Sequence, residues 1–294
     1  MKNLNENSLA EQPVIDWFKQ LGYEYKFGPE ISIGGLLVER NIKDDFKDVI
    51  LENRLRSALK RLNPELSEKD IDEVVYKLKK IENPNLEIVN KEVWEMLIGG
   101  VRIDIENKNK ELRGAFAKII DFQNPLNNDF LVVNQFTIRG IEKVRRPDII
   151  VFINGIPVAV FELKSPQLEE ATIQTAYQQL QDYKKDIPEL FKYNQILTIS
   201  DLLEAKYGTI SSSWEWFKSW KEITDKDEKL SGVSQLETLV KGIFQKTRLL
   251  DIIENFIVFE ADSEKDTSKF TKKICLYHQY FGVNKAVART LKAL

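Results

Sequence analysis

Two strongly apolar runs, beginning at Ile149 and Ile156, flank the pair Asn154-Gly155. Asn-Gly between apolar runs is the strongest short-range signal for a β-hairpin. Asp148 stands at the mouth of the first run, and Glu162 and Lys164 close the second, two residues apart. Period two puts Glu162 and Lys164 on one face of a strand. Three charged groups therefore gather at one end of an apolar hairpin. Burying a charge without a partner is costly, and a divalent metal is the simplest compensation.

The hairpin carries a register problem. Directly opposed residues share a face. A two-residue turn pairs Ile153 with Ile156, and unbroken pairing then sets Asp148 opposite Phe161. Glu162 would point to the other side of the sheet, where it cannot share a metal with Asp148. A three-residue loop with Gly155 in the left-handed region restores the shared face, as does a bulge near Pro157, which has no N–H to give the ladder. The expectation is that the plain two-residue hairpin is wrong or is corrected by a bulge before Glu162.

Pro147-Asp148 followed by Glu162-x-Lys164 resembles the signature of the PD-(D/E)xK nuclease superfamily. Val133-Asn134-Gln135-Phe136, the run from Arg146 to Lys164, Gln179-Leu180-Gln181-Asp182-Tyr183, Pro188-Glu189-Leu190-Phe191 and Trp214-Glu215-Trp216-Phe217 are similar to the N-terminal part of a type I restriction enzyme R (motor) subunit. The resemblance is good over residues 130–290 and loose before them. It implies an α/β fold of the PD-(D/E)xK nuclease type, a mixed central sheet flanked by helices. The endonuclease domain is expected over 1–223, with a helical insert about 42–83. A C-terminal helical segment over 224–294 is expected to lead towards an ATP-dependent motor that lies outside this fragment.

Hydrolysing a phosphodiester needs an activated water, in-line geometry and relief of charge on the leaving oxygen. Mg²⁺, with Mn²⁺ able to substitute, can supply all three and takes oxygen ligands. Asp148 and Glu162 offer carboxylates and Leu163 a carbonyl. Lys164 is a compact cation suited to orienting water or stabilising the pentavalent phosphate. The plainer alternative, a strand-end salt bridge of one acid with Lys164, leaves the second acid unpaired. Gln179 and Tyr183, one helical turn apart, resemble the Gln-x-x-x-Tyr motif that follows such sites, with roles on phosphate or Lys164; alternatively Tyr183 only closes the core. Glu11 has two readings, the third position of a capping box opened by Ser8, or the first-helix acid that completes the site in such nucleases. In the R subunits that the chain resembles, the Tyr277–Phe281 segment lies shortly before the motor's nucleotide loop, so Gln279 and His278 are nucleotide candidates, with a core or surface role as the leading alternative, and ATP is expected to matter only in the full-length protein. Asp201-Leu202-Leu203 departs from relatives that carry Gly after the Asp, which bears on that turn and not on the site.

Elsewhere the pattern is helical from Ile42 to Leu62, and Ser67-Glu68-Lys69-Asp70 caps a second helix carrying Ile71, Val74, Val75 and Leu78. Asp72-Glu73 falls inside that helical pattern and reads as a solvated face rather than a nucleotide-site acid pair. Short strands are expected at Val101–Ile105, Phe130–Val133 and Ile196–Ile199, and a helix from about Glu169 to Lys185. Trp214, Trp216, Phe217 and Trp220 read as a sealed core edge, with a stacking platform as the alternative. Thr224 to Lys229 marks a boundary, and the chain is helical from Leu236.

One cysteine, Cys275, excludes an internal disulfide, and one histidine, His278, argues against a His-rich metal site or a Ser-His triad. No apolar run reaches the ~20 residues of a bilayer span, no signal peptide is expected, and a cytoplasmic setting follows. The net charge of −3 runs against DNA binding in bulk. A local basic stripe at Lys143, Arg145 and Arg146, with Lys184-Lys185, is what such binding would use. The leading expectation is thus an Mg²⁺-dependent endonuclease acting on double-stranded DNA, which the resemblance places in a complex with modification and specificity subunits. The competing expectations are a quiet docking module for the motor and a stand-alone RecB-like repair nuclease.

Overall fold

The computed structural model of the protein describes residues 6–40, 45–106, 112–165, 172–224, 233–263 and 266–293. The chain runs through α1 (Glu6–Gln20), β1 (Glu24–Phe27), the single turn α2 (Gly28–Ile31), α3 (Glu52–Leu62), α4 (Glu68–Lys79) and α5 (Leu86–Gly99). Then come β2 (Val101–Glu106), β3 (Leu112–Ala117), β4 (Phe130–Asn134), β5 (Ile138–Arg139), β6 (Val144–Arg145), β7 (Ile149–Ile153) and β8 (Ile156–Leu163). The remainder is α6 (Ile173–Asp186), α7 (Pro188–Tyr193), β9 (Ile196–Ser200), β10 (Ala205–Gly208), α8 (Gln235–Ile243), α9 (Lys246–Asn255), β11 (Ile257–Ser263), β12 (Asp266–Ile274) and α10 (Tyr277–Ala293).

Six strands form a mixed sheet in the order β1-β4-β7-β8-β9-β10. β1 is parallel to β4 and β8 to β9, and the other neighbours are antiparallel. The C-terminal ends of β1, β4, β8 and β9 and the start of β7 therefore lie at one end of the sheet, where Asp148, Glu162 and Lys164 stand. β4, β7, β8 and β9 are buried throughout, as near-continuous apolar strands covered on both faces must be. On one face Phe18 of α1 and Phe244, just after α8, pack against Phe161. Alternation turns Glu162 to the other face, which α6 covers. The expectation of a mixed sheet flanked by helices is met.

The hairpin carries the predicted correction. Asn154 and Gly155 both have positive φ, 51° and 79°, and Ile153 pairs with Ile156, so the turn is the tight two-residue form. Phe152 then faces Pro157, but Val151 faces Ala159, so one extra residue, Val158, bulges out. Beyond it Ile149 pairs with Phe161, and the same register sets Asp148 opposite Glu162. The turn itself is pinned: the buried Asn154 amide donates to the Ile119 carbonyl and its Oδ1 accepts from Asp129 N–H.

Several expectations need correction. The first helix of the insert starts at Glu52, not Ile42. Residues 47–51 cross the hairpin turn as irregular chain, Leu51 N–H bonding Gly155 O, and the buried Val49, Ile50 and Leu51 imitated helical spacing. The strand expected at Val101–Ile105 is β2, but α5 before it and its hairpin partner β3 were not anticipated. The stretch from Leu236 is not helical throughout, because β11 and β12 form a hairpin between α9 and α10. Ser8 lies inside α1, which starts at Glu6, and not at the cap position expected for it. The second insert helix is as expected, with the Ser67/Asp70 capping box complete, and Asp72 and Glu73 pair with Arg56 and Lys77 at the surface. In the aromatic cluster Phe217 and Trp220 are buried, Trp214 packs on Tyr177, and Trp216 is exposed. Of the expected α6, residues 169–171 lie outside the described residues, as do 42–44 of the insert and 225–229 of the boundary.

Candidate active site

β7 and β8 deliver Asp148 and Glu162 to adjoining positions, and the chain then leaves the sheet with Lys164 N–H bonded to Ser200 O at the end of β9. Asp148 Oδ2 accepts the Leu163 N–H at 2.7 Å, which locks the acid across the hairpin. Glu162 is 1% exposed. Its Oε1 accepts from Lys164 Nζ at 2.7 Å; its Oε2 makes no hydrogen bond, although the Tyr183 hydroxyl is near enough to favour the charged acid. A buried, bare carboxylate oxygen is destabilising unless something fills its place.

α6 supplies the next layer. The Thr172/Thr175 capping box starts this helix, and residues four apart share its inward face. Lys164 Nζ donates to Gln179 Oε1, and Gln179 Nε2 donates to the Tyr183 hydroxyl at 2.5 Å. Tyr183 is buried, so it both packs in the core and ends a polar chain running from Glu162 through Lys164 and Gln179. The two readings of this residue meet in one place.

α1 supplies Glu11. It is buried in mid-helix, its Oε2 accepting from Asn134 Nδ2 at 2.7 Å and its Oε1 from Gln135 Nε2. The cap reading of Glu11 is therefore set aside. Gln135 reaches it through a left-handed backbone (φ 56°), its N–H bonding Asp148 O. Tyr25 donates to Asn134 Oδ1 from β1. Both Glu11 oxygens are thus held by amides, and among the described residues no three His, Cys, Asp or Glu side chains cluster as ligands of one ion. Glu11 stands beside the pair, close enough for the Asp148 charge to act on it.

Burial raises the affinity of all three acids for protons. Glu162 is pushed up by burial and then by the Asp148 charge, and Lys164 and the Tyr183 hydroxyl offset only part of that. Asp148 is pushed up by burial, against the Leu163 N–H, Lys164 and Arg146. Burial brings Glu11 to about 7, with Asp148 adding to it and the two amides and Arg146 opposing. A cation at this end of the sheet would relieve every one of these costs. The residues fit Mg²⁺ or Mn²⁺, which bind oxygen and keep several waters: two carboxylates, one with a bare oxygen, beside the Leu163 carbonyl.

The other expected residues separate. Arg145 is bound to Asp186 at 2.5 Å, and Lys143 joins the same acid at 3.2 Å, which draws both towards the end of α6. Arg146 is exposed. Gln279 is far along the chain, its Oε1 accepting from Leu276 N–H at the start of α10, and His278 lies edge-on to Tyr277. Neither is brought to the Asp148 end. Asn134 and Gln135 were missed as site residues, although a polar pair straight after an apolar strand was a readable signal. No helix among the described residues is long and apolar enough to cross a membrane.

A family model described as the type I restriction enzyme R protein N terminus matches residues 3–216. The chain is 38% identical over 293 residues, 99% of its length, to the type I restriction enzyme HindI endonuclease subunit of Haemophilus influenzae. It is 37% identical over 313 aligned residues, again 99% of its length, to the putative type I restriction enzyme MjaIXP endonuclease subunit of Methanocaldococcus jannaschii. The chain spans 27% and 28% of those two relatives.

Proposed function

The chain belongs to the family of type I restriction enzyme R protein N termini, and from that premise we propose that it is the DNA-cutting part of such an enzyme. The carrying observation is that Asp148, Glu162 and Lys164 meet at one end of the sheet with a buried Glu162 oxygen left bare. The finer reading is a PD-(D/E)xK nuclease: an endonuclease domain over 1–223 and a segment over 224–294 that leads to a motor. The relatives' greater length leaves room for that motor, and ATP belongs to it.

Asp148, Glu162 and the Leu163 carbonyl would hold Mg²⁺, or Mn²⁺ in its place. Bound there, the ion would supply charge relief for the leaving oxygen and a water of lowered pKa. The chain's own groups do the rest. Lys164, tethered by Glu162 and Gln179, is the cation aimed at the attacking water and the phosphate oxygens. Gln179 and Tyr183 fix where that ammonium points. Glu11, with Asn134 and Gln135, sets the charge beside Asp148. Exposed Arg146 is placed to meet a DNA phosphate. The setting is the cytoplasm, and the partners are double-stranded DNA and the modification and specificity subunits. A docking module alone would have no use for a bare buried carboxylate, which such a fold would lose without cost.

The test is cleavage of unmodified DNA by the assembled complex. Asp148→Ala, Glu162→Ala and Lys164→Ala should each abolish cutting while ATP hydrolysis by the complex continues. Wild-type cutting by any of the three removes that residue from its role. Mn²⁺ titration of the chain should give saturable binding that Asp148→Asn loses, and unchanged binding there would move the metal elsewhere.

A further inference from the structure

Three loops at the Asp148 end of the sheet carry apolar side chains into solvent: Leu36 (91% exposed), Ile141 (96%) and Leu203 (73%). Single exposed apolar residues are ordinary on a protein surface. The Ile141 loop differs from the other two in how it is held and in what surrounds it. β5 and β6 form a minimal hairpin in which Gly140 N–H bonds Lys143 O. Its base is pressed onto the end of α6 so closely that a Cβ on Gly140 would lie 1.7 Å from Asp186 O. Asp186 also holds Lys143 and Arg145. The tip is thus fixed to the helix that carries Gln179 and Tyr183, with half-exposed Val144 beside it.

Charge separates this tip from the other two. Leu36 lies between Glu30 and Glu39, and Leu203 between Asp201 and Glu204. From Arg139 to Arg146 the hairpin has four cations against Glu142, in a chain whose net charge is −3; Arg139 pairs with Asp45 and Lys143 and Arg145 pair with Asp186, and Arg146 is the exposed cation beside the tip. An apolar point held in place beside an exposed arginine fits duplex DNA, where arginine takes a phosphate and an apolar wedge enters the groove between base steps. Ile141 is seven residues from Asp148, so at ~3.3 Å per residue the tip lies within roughly 23 Å of the site, less than one turn of the duplex (~34 Å).

We infer that the β5–β6 hairpin is a DNA-engaging finger: Ile141 enters the groove next to the phosphate to be cut, and Arg146 holds the backbone. This rests on the nuclease reading above. Its chemical content is one apolar contact with bases and sugars plus one phosphate contact, and these differ in their response to salt.

Binding of the chain to a fluorescein-labelled 30-base-pair duplex, by anisotropy without divalent metal across a salt series, tests it. Ile141→Ala should weaken binding about tenfold at every salt concentration with an unchanged salt slope, the behaviour of a lost apolar contact. Arg146→Gln should reduce the slope by about 0.9, the mark of one lost phosphate contact. Ile141→Leu should bind as the wild type does, and Leu36→Ala and Leu203→Ala should change nothing. Binding by Ile141→Ala within twofold of wild type, or an Ile141→Ala effect that disappears at high salt, overturns the finger while the nuclease reading stands. A wild-type chain that binds no duplex overturns the finger as well, while the nuclease reading is decided by cutting in the assembled complex.

Discussion

Replacing Glu162 by Gln should stabilise the protein while abolishing cutting, and the gain should grow with pH. Glu162 is 1% exposed, Oε1 is satisfied by Lys164, and Oε2 is bare. A buried polar atom left unpaired costs about 1–3 kcal/mol, more when charged. Gln keeps the acceptor for Lys164 but loses charge assistance in that bond, about 1 kcal/mol. It also removes the repulsion with Asp148 and presents an N–H₂ on that side. The net is a gain of roughly 1–2 kcal/mol near pH 8, or a rise in Tm of about 2–8 °C at 2–4 °C per kcal/mol. The sign in pH follows from linkage. Because burial and Asp148 raise the folded-state pKa of Glu162, the folded protein holds its proton more tightly than the unfolded chain does. Its contribution is fully present below the ordinary glutamate range and is lost as pH rises through the raised value. Gln has no such loss, so the difference between the two proteins should be small at pH 4.5 and largest at pH 8. Urea unfolding of both proteins in EDTA across this range, with equal slopes in urea, measures it. A destabilised Gln protein, or a difference that does not change with pH, would refute the claim that a bare, repelled carboxylate sits there.

Tyr183→Phe removes the hydroxyl that accepts from Gln179 and leaves the ring packed. It should reduce cutting by the complex with a stability loss of about 1 kcal/mol, and full cutting would reduce Tyr183 to core packing. Gly155→Ala places a Cβ 2.4 Å from Leu51 O at φ 79°. The strain alone costs about 1–3 kcal/mol, so thermal unfolding should show a Tm at least 2 °C lower, and an unchanged Tm would mean the turn is not held against Leu51.

The hairpin and the meeting of Asp148 with Glu162 were legible because both depend on local alternation and a two-residue turn. The same is true of the Ser67 cap, whose signal lies within four residues. What was not legible depends on distance. Glu11 meets Asn134 and Gln135, more than a hundred positions away, and no local pattern distinguishes that from a cap. Val49 to Leu51 copied a helix because they are buried by the hairpin turn they cross. β12 was hidden by its lysines. Lys272 sits fully buried on it, its ammonium bonded to Asn90 Oδ1, Asn194 O and Gln195 Oε1, whereas a lysine in a charged run reads as surface. Phe244, beyond the charged stretch that opens at Thr224, packs into the same aromatic cluster as Phe161, and no local pattern announces a contact across that stretch.

The Val158 bulge makes the site a matter of parity. Along a strand each residue counts odd or even, and the anchored Asn154 turn fixes where the count begins. One extra residue reverses it once, so Asp148 and Glu162 come to the same side. Any later change in the length of β8 between the bulge and Glu162 is tolerable only in steps of two, since a single insertion or deletion would separate the acids without disturbing an apolar side chain that either face accepts. Because both faces of this strand are buried and apolar, such an error would leave a folded protein with no active site. A lineage could therefore retain the domain as a scaffold and lose its chemistry through one codon, with no mutation of Asp148, Glu162 or Lys164.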